Sequence, residues 1–302
     1  MKKTYLSAAI AIAMTSASGA YASLADGMPY SVNMDSNGFM IDGQYRLLRG
    51  GTVQWFRMPS SEWRDRLERF KAAGFNTVDL YVAWNSVEPR EGQFNFSSPN
   101  LRQFILLCKE LGLYVYLRPG PYITNEMDGG GVPAWLMAKS TKKEIAADGK
   151  PNLRTHDPDY LNYVGKYLRR VNAEVRDLFA DRGGPIILYS VENEYNWFQP
   201  FHEADKLFGY EGGSERGLWQ SFNPNAYFTA LRDIVRNDGI TIPITTCPGD
   251  GKASATGDVS GIVPMPNIYN GLGGDYPEKT AVDLLTDMHS SNHGGAYANM
   301  PS

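Results

Sequence analysis

From about residue 47 onward, short apolar runs alternate with longer stretches whose apolar positions recur at helical spacing. Leu47 to Gln54 reads as a buried strand, closed by Arg57-Met58-Pro59. Ser60 or Ser61 then caps a helix carrying Trp63, Leu67, Phe70 and Ala73 on one face and stopped by Gly74. Thr77–Val82 is a second strand, residues 100–110 a helix with Leu101, Ile105 and Cys108 inward, and Tyr114–Leu117 a third strand. After a loop rich in glycine and a polar, irregular stretch (139–155), Asp157 or Pro158 starts a helix to about Leu178, with Tyr160, Tyr163, Val164, Tyr167, Leu168 and Val171 as its inner stripe. Ile186 to Val191, after Gly183-Gly184-Pro185, has the content of a strand buried on both faces. A helix over 224–235, strands at Ile242–Thr246 and Val263–Tyr269, and a weakly marked helix near 283–288 complete the pattern.

Such alternation predicts strand-helix-strand units on a parallel sheet. Polar and aromatic residues follow the strands repeatedly: Arg57, Tyr81-Trp84-Asn85, Arg118-Tyr122, Glu192 to Tyr195, Asp250. Several strand exits converging on one face favour a closed barrel over an open doubly wound sheet, which would place its ligand at one switch point. The expected architecture is a TIM (β/α)8 barrel, incomplete at its C-terminal end, with about six of its eight strands present. Residues 23–46, with Asn37-Gly38 and Asp42-Gly43 as tight turns, form lead-in strands, and residues 47–302 the partial catalytic barrel.

Residues 1–22 have the layout of a secretory signal: Lys2 and Lys3, a short apolar run from Tyr5 to Met14, then small residues to Ala22. The run is shorter than the roughly 20 residues that span a bilayer. Its removal takes two lysines and no acids, moving the net charge from -4 to -6. An exported, periplasmic or extracellular protein without a basic patch follows, one that binds neither nucleic acid nor, after signal removal, a membrane. Export permits a disulfide between the two cysteines, Cys108 and Cys247, but their helical and post-strand settings favour two buried thiols.

The strand 186–191 ends in Glu192-Asn193-Glu194-Tyr195. Two carboxylates delivered to the exit of a buried strand make a site, since charge is not tolerated inside one. Gly129-Gly130-Gly131 lacks phosphate-loop spacing and reads as a turn, and no Gly-x-Ser-x-Gly elbow occurs around Ser214 or Ser260. His289 and His293 lack a third partner, so neither metal nor other cofactor is expected. What remains is carboxylates among tryptophans, tyrosines, asparagines and arginines. Aromatic faces cover the C–H side of a sugar ring, and the polar groups bond its hydroxyls. Glycoside cleavage needs two carboxyl groups, one of them protonated, and apolar surroundings raise a carboxyl's pKa. Trp84, Trp135 and Trp197 follow strand exits and are ligand candidates, whereas Trp63 and Trp219 read as core.

Four ordered blocks carry a resemblance. Gly183 to Tyr195 is similar to the signature of glycoside hydrolase family 35, the retaining β-galactosidases. Arg49-Gly50-Gly51 to Pro59, Gly74 to Asn85 with Glu88-Pro89, and Leu113 to Ile123 with Glu126 and Gly130 to Leu136 resemble the family's first three strands and their exits. The match is dense from about residue 44 to 196. It implies hydrolysis of terminal β-galactosides in oligo- or polysaccharides, with Glu194 as acid/base and Asn193 on the sugar beside the cleaved bond. It further implies that Tyr81, Asn125 and Glu126 bind the hydroxyls of the non-reducing sugar, and that Glu192 is structural. Two glutamates two apart on an extended strand share a face, so different roles for Glu192 and Glu194 call for a bulge or turn. Departures from the pattern are Ser190 for Gln, Gln54-Trp55 for His-Tyr, Thr124-Asn125 for Cys-Ala, Met127 for Trp and Asn196 for Gly. The resemblance also implies a nucleophilic glutamate on strand seven, in an aromatic-rich block. The last glutamate, Glu278, starts a helical pattern, so the nucleophile is expected beyond Ser302 and the chain is read as the front of a longer protein. A retaining barrel glycosidase directed at glucan or xylan, or a non-catalytic carbohydrate-binding protein, are the alternative readings.

Overall fold

The computed structural model describes residues 24, 27–35, 37–139, 153–195, 224–248, 259–265 and 267. The segment 1–22, the helix expected near 283–288, and Trp197, Ser214, Trp219, Asp250, Glu278, His289 and His293 lie outside them.

The described residues form two sheets. The lead-in forms a three-stranded antiparallel sheet of β1 (Val32–Asp35), β2 (Gly38–Ile41) and β3 (Gln44–Arg46), with the two expected turns between them. The second sheet is six-stranded and parallel throughout: β4 (Gly50–Thr52), β5 (Thr77–Tyr81), β6 (Tyr114–Arg118), β7 (Ile186–Ser190), β8 (Ile244–Thr246) and β9 (Ile262–Pro264). Spatial order equals sequence order. Parallel neighbours require crossovers, and helices supply them between the first five strands: α1 (Trp63–Ala72), a single turn α2 (Trp84–Val87), α3 (Leu101–Glu110), α4 (Pro158–Glu174) and α5 (Pro224–Asn237).

The helices follow from their stripes and caps. Asn100 and Asp157 accept the backbone N–H of Gln103 (2.8 Å) and Tyr160 (2.9 Å), each satisfying an orphan donor of the first turn. Leu101, Phe104, Ile105 and Cys108 of α3, and Tyr160, Val164, Tyr167, Leu168 and Val171 of α4, are buried against the sheet. All five residues of β6 and of β7 are buried, as expected of central strands covered on both faces. Both cysteines are buried free thiols.

Several boundaries differ from expectation, each for a local reason. β4 keeps only three residues of Leu47–Gln54. The Asn76 side chain holds the chain ahead of it, accepting from Arg49 N and donating to Leu47 O, and Leu47 is 72% exposed. Ahead of α1, Ser60–Glu62 is a 3-10 turn rather than a simple cap. α4 ends at Glu174, and a 3-10 turn, Arg176–Leu178, finishes the connection. β8 begins at Ile244, because Pro243 has no N–H to offer the ladder.

The lead-in sheet sits at the N-terminal ends of the strands. Tyr30 donates from its hydroxyl to Gly184 O (2.7 Å) and from its amide to Ala180 O (3.1 Å). A Cβ on Gly183 (φ 78°) would lie 1.9 Å from Gly27 O. Gly183, which opens the β7 signature, therefore admits the lead-in chain, while the carboxylates that close it emerge at the opposite end.

Candidate active site

The concave face of the sheet carries alternate residues of each strand. Asp79 and Tyr81 of β5 stand beside Tyr116 and Arg118 of β6. Tyr116 Oη lies 2.6 Å from Thr245 Oγ1 on β8, two strands away, so the sheet curls enough for side chains to meet across it. Arg118 is buried, 3.2 Å from Asp79 Oδ2, with its guanidinium 4.4 Å from the centre of the Tyr81 ring. Burial is the largest effect and opposes its charge, but the Asp79 carboxylate together with Tyr116, Cys247 and Tyr81 outweighs it and keeps the pKa raised. Its Nη2 donates to Asn193 Oδ1 at 2.6 Å, so the sheet floor grips the residue before Glu194.

At the exit of β7 the backbone leaves the strand through left-handed conformations, φ 65° at Glu192 and 44° at Glu194. These provide the turn that different roles require: Glu192 is driven inward and Glu194 outward. Glu192 is fully buried and doubly bonded to Arg154, Nε to Oε1 at 3.2 Å and Nη2 to Oε2 at 2.6 Å. Tyr227 of α5 donates its hydroxyl to Oε1 at 2.7 Å. Arg154 also donates to Asn193 O (2.9 Å) and lies 3.6 Å from the centre of the Tyr122 ring, and its own carbonyl accepts from Tyr195 Oη (2.7 Å). Burial is the largest effect on Arg154 and opposes its charge, but Glu192 together with Tyr122 and Tyr227 outweighs it, so its pKa is raised, while burial and then Glu192 push Tyr227 well up. Glu192 is thus structural, as expected. Its partner lay in a stretch read as polar and irregular, with no signal in the sequence.

Glu194 is only half-buried. Its amide donates to Cys247 O at the end of β8 (2.6 Å), and its Oε1 accepts from Asn267 Nδ2 (2.9 Å). It is the carboxylate of the pair that is partly exposed.

The loop after β6 contributes Thr124, Asn125 and Glu126, all left-handed (φ 53°, 46° and 47°), with Met127 N bonding back to Thr124 O. Side chains with a Cβ pay about 1–2 kcal/mol per residue there. Two other strand exits hold the turn. From β4, Gln54 and Asn125 exchange amide bonds of 2.6 and 3.1 Å, and Arg57 Nη2 donates to Asn125 O at 2.7 Å. From β7, Asn193 Nδ2 donates to Thr124 Oγ1 at 3.0 Å. Glu126 is exposed at the rim. Among the described residues seven without a glycine's freedom have positive φ, and six belong to this site: Thr124, Asn125, Glu126, Arg154, Glu192 and Glu194. Backbone strain concentrated in this way marks a functional region.

Through Thr124, Asn193 is joined to the turn carrying Asn125 and Glu126, and through Arg118 to the concave face where Tyr81 stands. Gln54, Asp79, Thr124 and Arg154 were not foreseen as site residues. Trp84 corrects an expectation: it is buried, stacked on Tyr167 at 4.5 Å, and its Nε1 donates to Glu88, so it is core rather than a ligand platform. Tyr167 hydroxyl reaches both Val82 O and Pro119 O at 2.9 Å, tying the exits of β5 and β6 together. Trp135 is half-buried, with Nε1 on Glu88 O. Among the described residues no group of three or more His, Cys, Asp or Glu is placed to hold a metal ion, and no helix is long and apolar enough to cross a membrane.

Comparison with known proteins agrees with this geometry. The chain is 45% identical over 167 residues to the β-galactosidase of Bos taurus, covering 55% of this chain and 24% of that protein. It is 37% identical over 225 residues to the exo-β-D-glucosaminidase of Thermococcus kodakarensis, covering 68% of this chain and 28% of the other. The chain thus spans about a quarter of the length of these relatives. Among solved structures, the cold-adapted β-galactosidase of Rahnella sp. R3 shares the fold at a TM-score of 0.50 and 16% identity, over 82% of this chain and 42% of that one. The sequence pattern of glycosyl hydrolases family 35 matches residues 38–216, more than half of the chain, and the chain belongs to that family.

Proposed function

We propose that this chain carries the acid/base half of a retaining β-galactosidase. The observation that supports the reading is the division of labour at the β7 exit: Glu192 is fully buried between Arg154 and Tyr227, while Glu194, turned the other way, is half-exposed and accepts from Asn267. In the proposed reaction Glu194 gives its proton to the departing glycosidic oxygen, then takes one from the water that releases the sugar. Asn193, held by Arg118 and Thr124, faces the sugar beside the cleaved bond, and Tyr81, Asn125 and Glu126 bind its hydroxyls. Retention requires a second carboxylate about 5 Å from the first. Among the described residues, Asp79 is paired with Arg118 and Glu192 with Arg154, so neither is assigned that role. The six consecutive parallel strands are read as part of a (β/α)8 barrel with the reaction at the carboxyl ends of its strands. Residues 1–22 are read as an export signal.

The reading is tested, in the longer protein that supplies the second carboxylate, by the hydrolysis of nitrophenyl β-galactoside, β-glucoside, β-xyloside and β-glucosaminide, with the released anomer followed by NMR. It predicts the galactoside as the fastest substrate and β-galactose as the first product. Preferred cleavage of the glucoside or xyloside would favour a glucan- or xylan-directed enzyme. Inversion would remove the glycosyl-enzyme pathway.

A further inference from the structure

The amide pair between Gln54 and Asn125 is a long-range contact, 71 positions apart in sequence, between the exits of β4 and β6. It is reciprocal: Gln54 Nε2 donates to Asn125 Oδ1 and Asn125 Nδ2 donates to Gln54 Oε1. A primary amide has two N–H donors and two acceptor lone pairs. Pairing consumes one of each from each partner and leaves one of each. The pair therefore leaves two donors and two acceptors, a donor beside an acceptor on either edge, without charge.

Its location ties it to the site. Asn125 is the middle residue of the left-handed turn, and the residues on either side are Thr124, which accepts from Asn193, and Glu126, exposed at the rim. Arg57, three residues after Gln54, fastens the same turn through Asn125 O. Backbone placement is therefore already secured by Arg57 and Asn193. What Gln54 adds is the orientation of the Asn125 carboxamide, which a rotatable side chain would not otherwise keep.

We propose that Gln54 and Asn125 act as one specificity-determining element that recognises an uncharged, hydroxyl-bearing sugar unit, with Gln54 as the residue that sets the hydroxyl-bonding edge. A hydroxyl both donates and accepts, and so matches what the pair leaves open. This rests on the glycosidase reading above and assigns a recognition role to a residue outside it.

The test is calorimetric titration with galactose, together with kcat and KM on nitrophenyl β-galactoside, of the longer protein that supplies the second carboxylate, for the wild type, Gln54→Leu, Asn125→Ala, the double variant and Gln54→Glu. Each single substitution is expected to weaken galactose binding and raise KM about tenfold or more, with kcat changed less than threefold. The double variant is expected to lose no more than either single one, because both remove the same element. Gln54→Glu should bind better where its carboxyl is protonated and can donate to Asn125 Oδ1 than where it is ionised, losing affinity as pH rises through the carboxyl range, a pH dependence absent from Gln54→Leu. Unchanged galactose affinity in Gln54→Leu with an intact melting transition would overturn the proposal, as would additive losses in the double variant. A wild type that binds no sugar and cleaves no glycoside would instead remove the glycosidase reading, and this inference with it.

Discussion

The ion pair of Arg154 and Glu192 is where the structure makes its most quantitative commitment. Their side chains are 6% and 0% exposed, so both charges have left water. Replacing Arg154 by Met keeps most of the volume but removes two charge-assisted bonds to Glu192, one bond to Asn193 O and the cation over the Tyr122 ring. Glu192 would then be a buried carboxylate with the Tyr227 hydroxyl and its neighbouring backbone N–H as its remaining bonds. Breaking a buried pair from one side costs about 3–5 kcal/mol. At roughly 2–4 °C per kcal/mol for a domain of this size class, the melting temperature should fall by roughly 6–20 °C. Removing both charges, Arg154→Met with Glu192→Leu, should cost less than the sum of the two single changes, since neither charge is then left alone. Urea unfolding of the four-member cycle by circular dichroism measures these terms. An Arg154→Met loss below 1 kcal/mol, or strict additivity in the double variant, would refute the claim that this pair locks the β7 exit.

Two further outcomes follow from the same geometry. Gly130 (φ 60°) has the Tyr122 ring where a Cβ would stand, 1.9 Å away, so Gly130→Ala must displace the ring under Arg154. It should cost at least about 2 kcal/mol by urea unfolding, whereas Gly92→Ala, also left-handed but with open space around it, should cost less. Burial raises the thiol pKa of Cys108 and Cys247, and that of buried tyrosines including Tyr30, Tyr189 and Tyr195, so the folded protein holds these protons to higher pH than the unfolded chain does. Their contribution is complete below the unfolded values, near 8.5 for cysteine and 10 for tyrosine, and is lost as pH rises past them. Melting temperature should therefore decline steadily above about pH 9, and a disulfide-exchange reagent at pH 8 should label both cysteines only on unfolding.

The sequence made some of this legible and hid the rest. β7 and its exit were readable because an apolar run ending in carboxylates has few other meanings, and α3 and α4 because their inward stripes keep strict helical spacing. The opposed directions of Glu192 and Glu194 could be argued as a necessity, but not placed, since nothing in Glu-Asn-Glu names which residues turn left-handed. Arg154 was invisible: a lone arginine in a polar stretch looks solvated until a buried carboxylate is found facing it. Gln54 and Asn125 stood out as departures from the family pattern, yet their pairing is a contact between distant exits that no local pattern encodes. Trp84 misled because a residue after a strand reads as facing the mouth, whereas the turn of α2 lays its ring on Tyr167.

The central claim concerns the proton on Glu194, and leaving-group dependence tests it most directly. In Glu194→Gln of the longer protein that also supplies the nucleophile, cleavage of β-galactosides with poor leaving groups should fall by about 10²-fold or more, the usual scale for general acid catalysis. Dinitrophenyl β-galactoside, whose phenolate departs without a proton, should still form the glycosyl-enzyme at near wild-type rate, and added azide should accelerate turnover to give β-galactosyl azide. Equal slowing of good and poor leaving groups without azide rescue, or undiminished cleavage of both, would contradict the assignment of Glu194 as the acid/base.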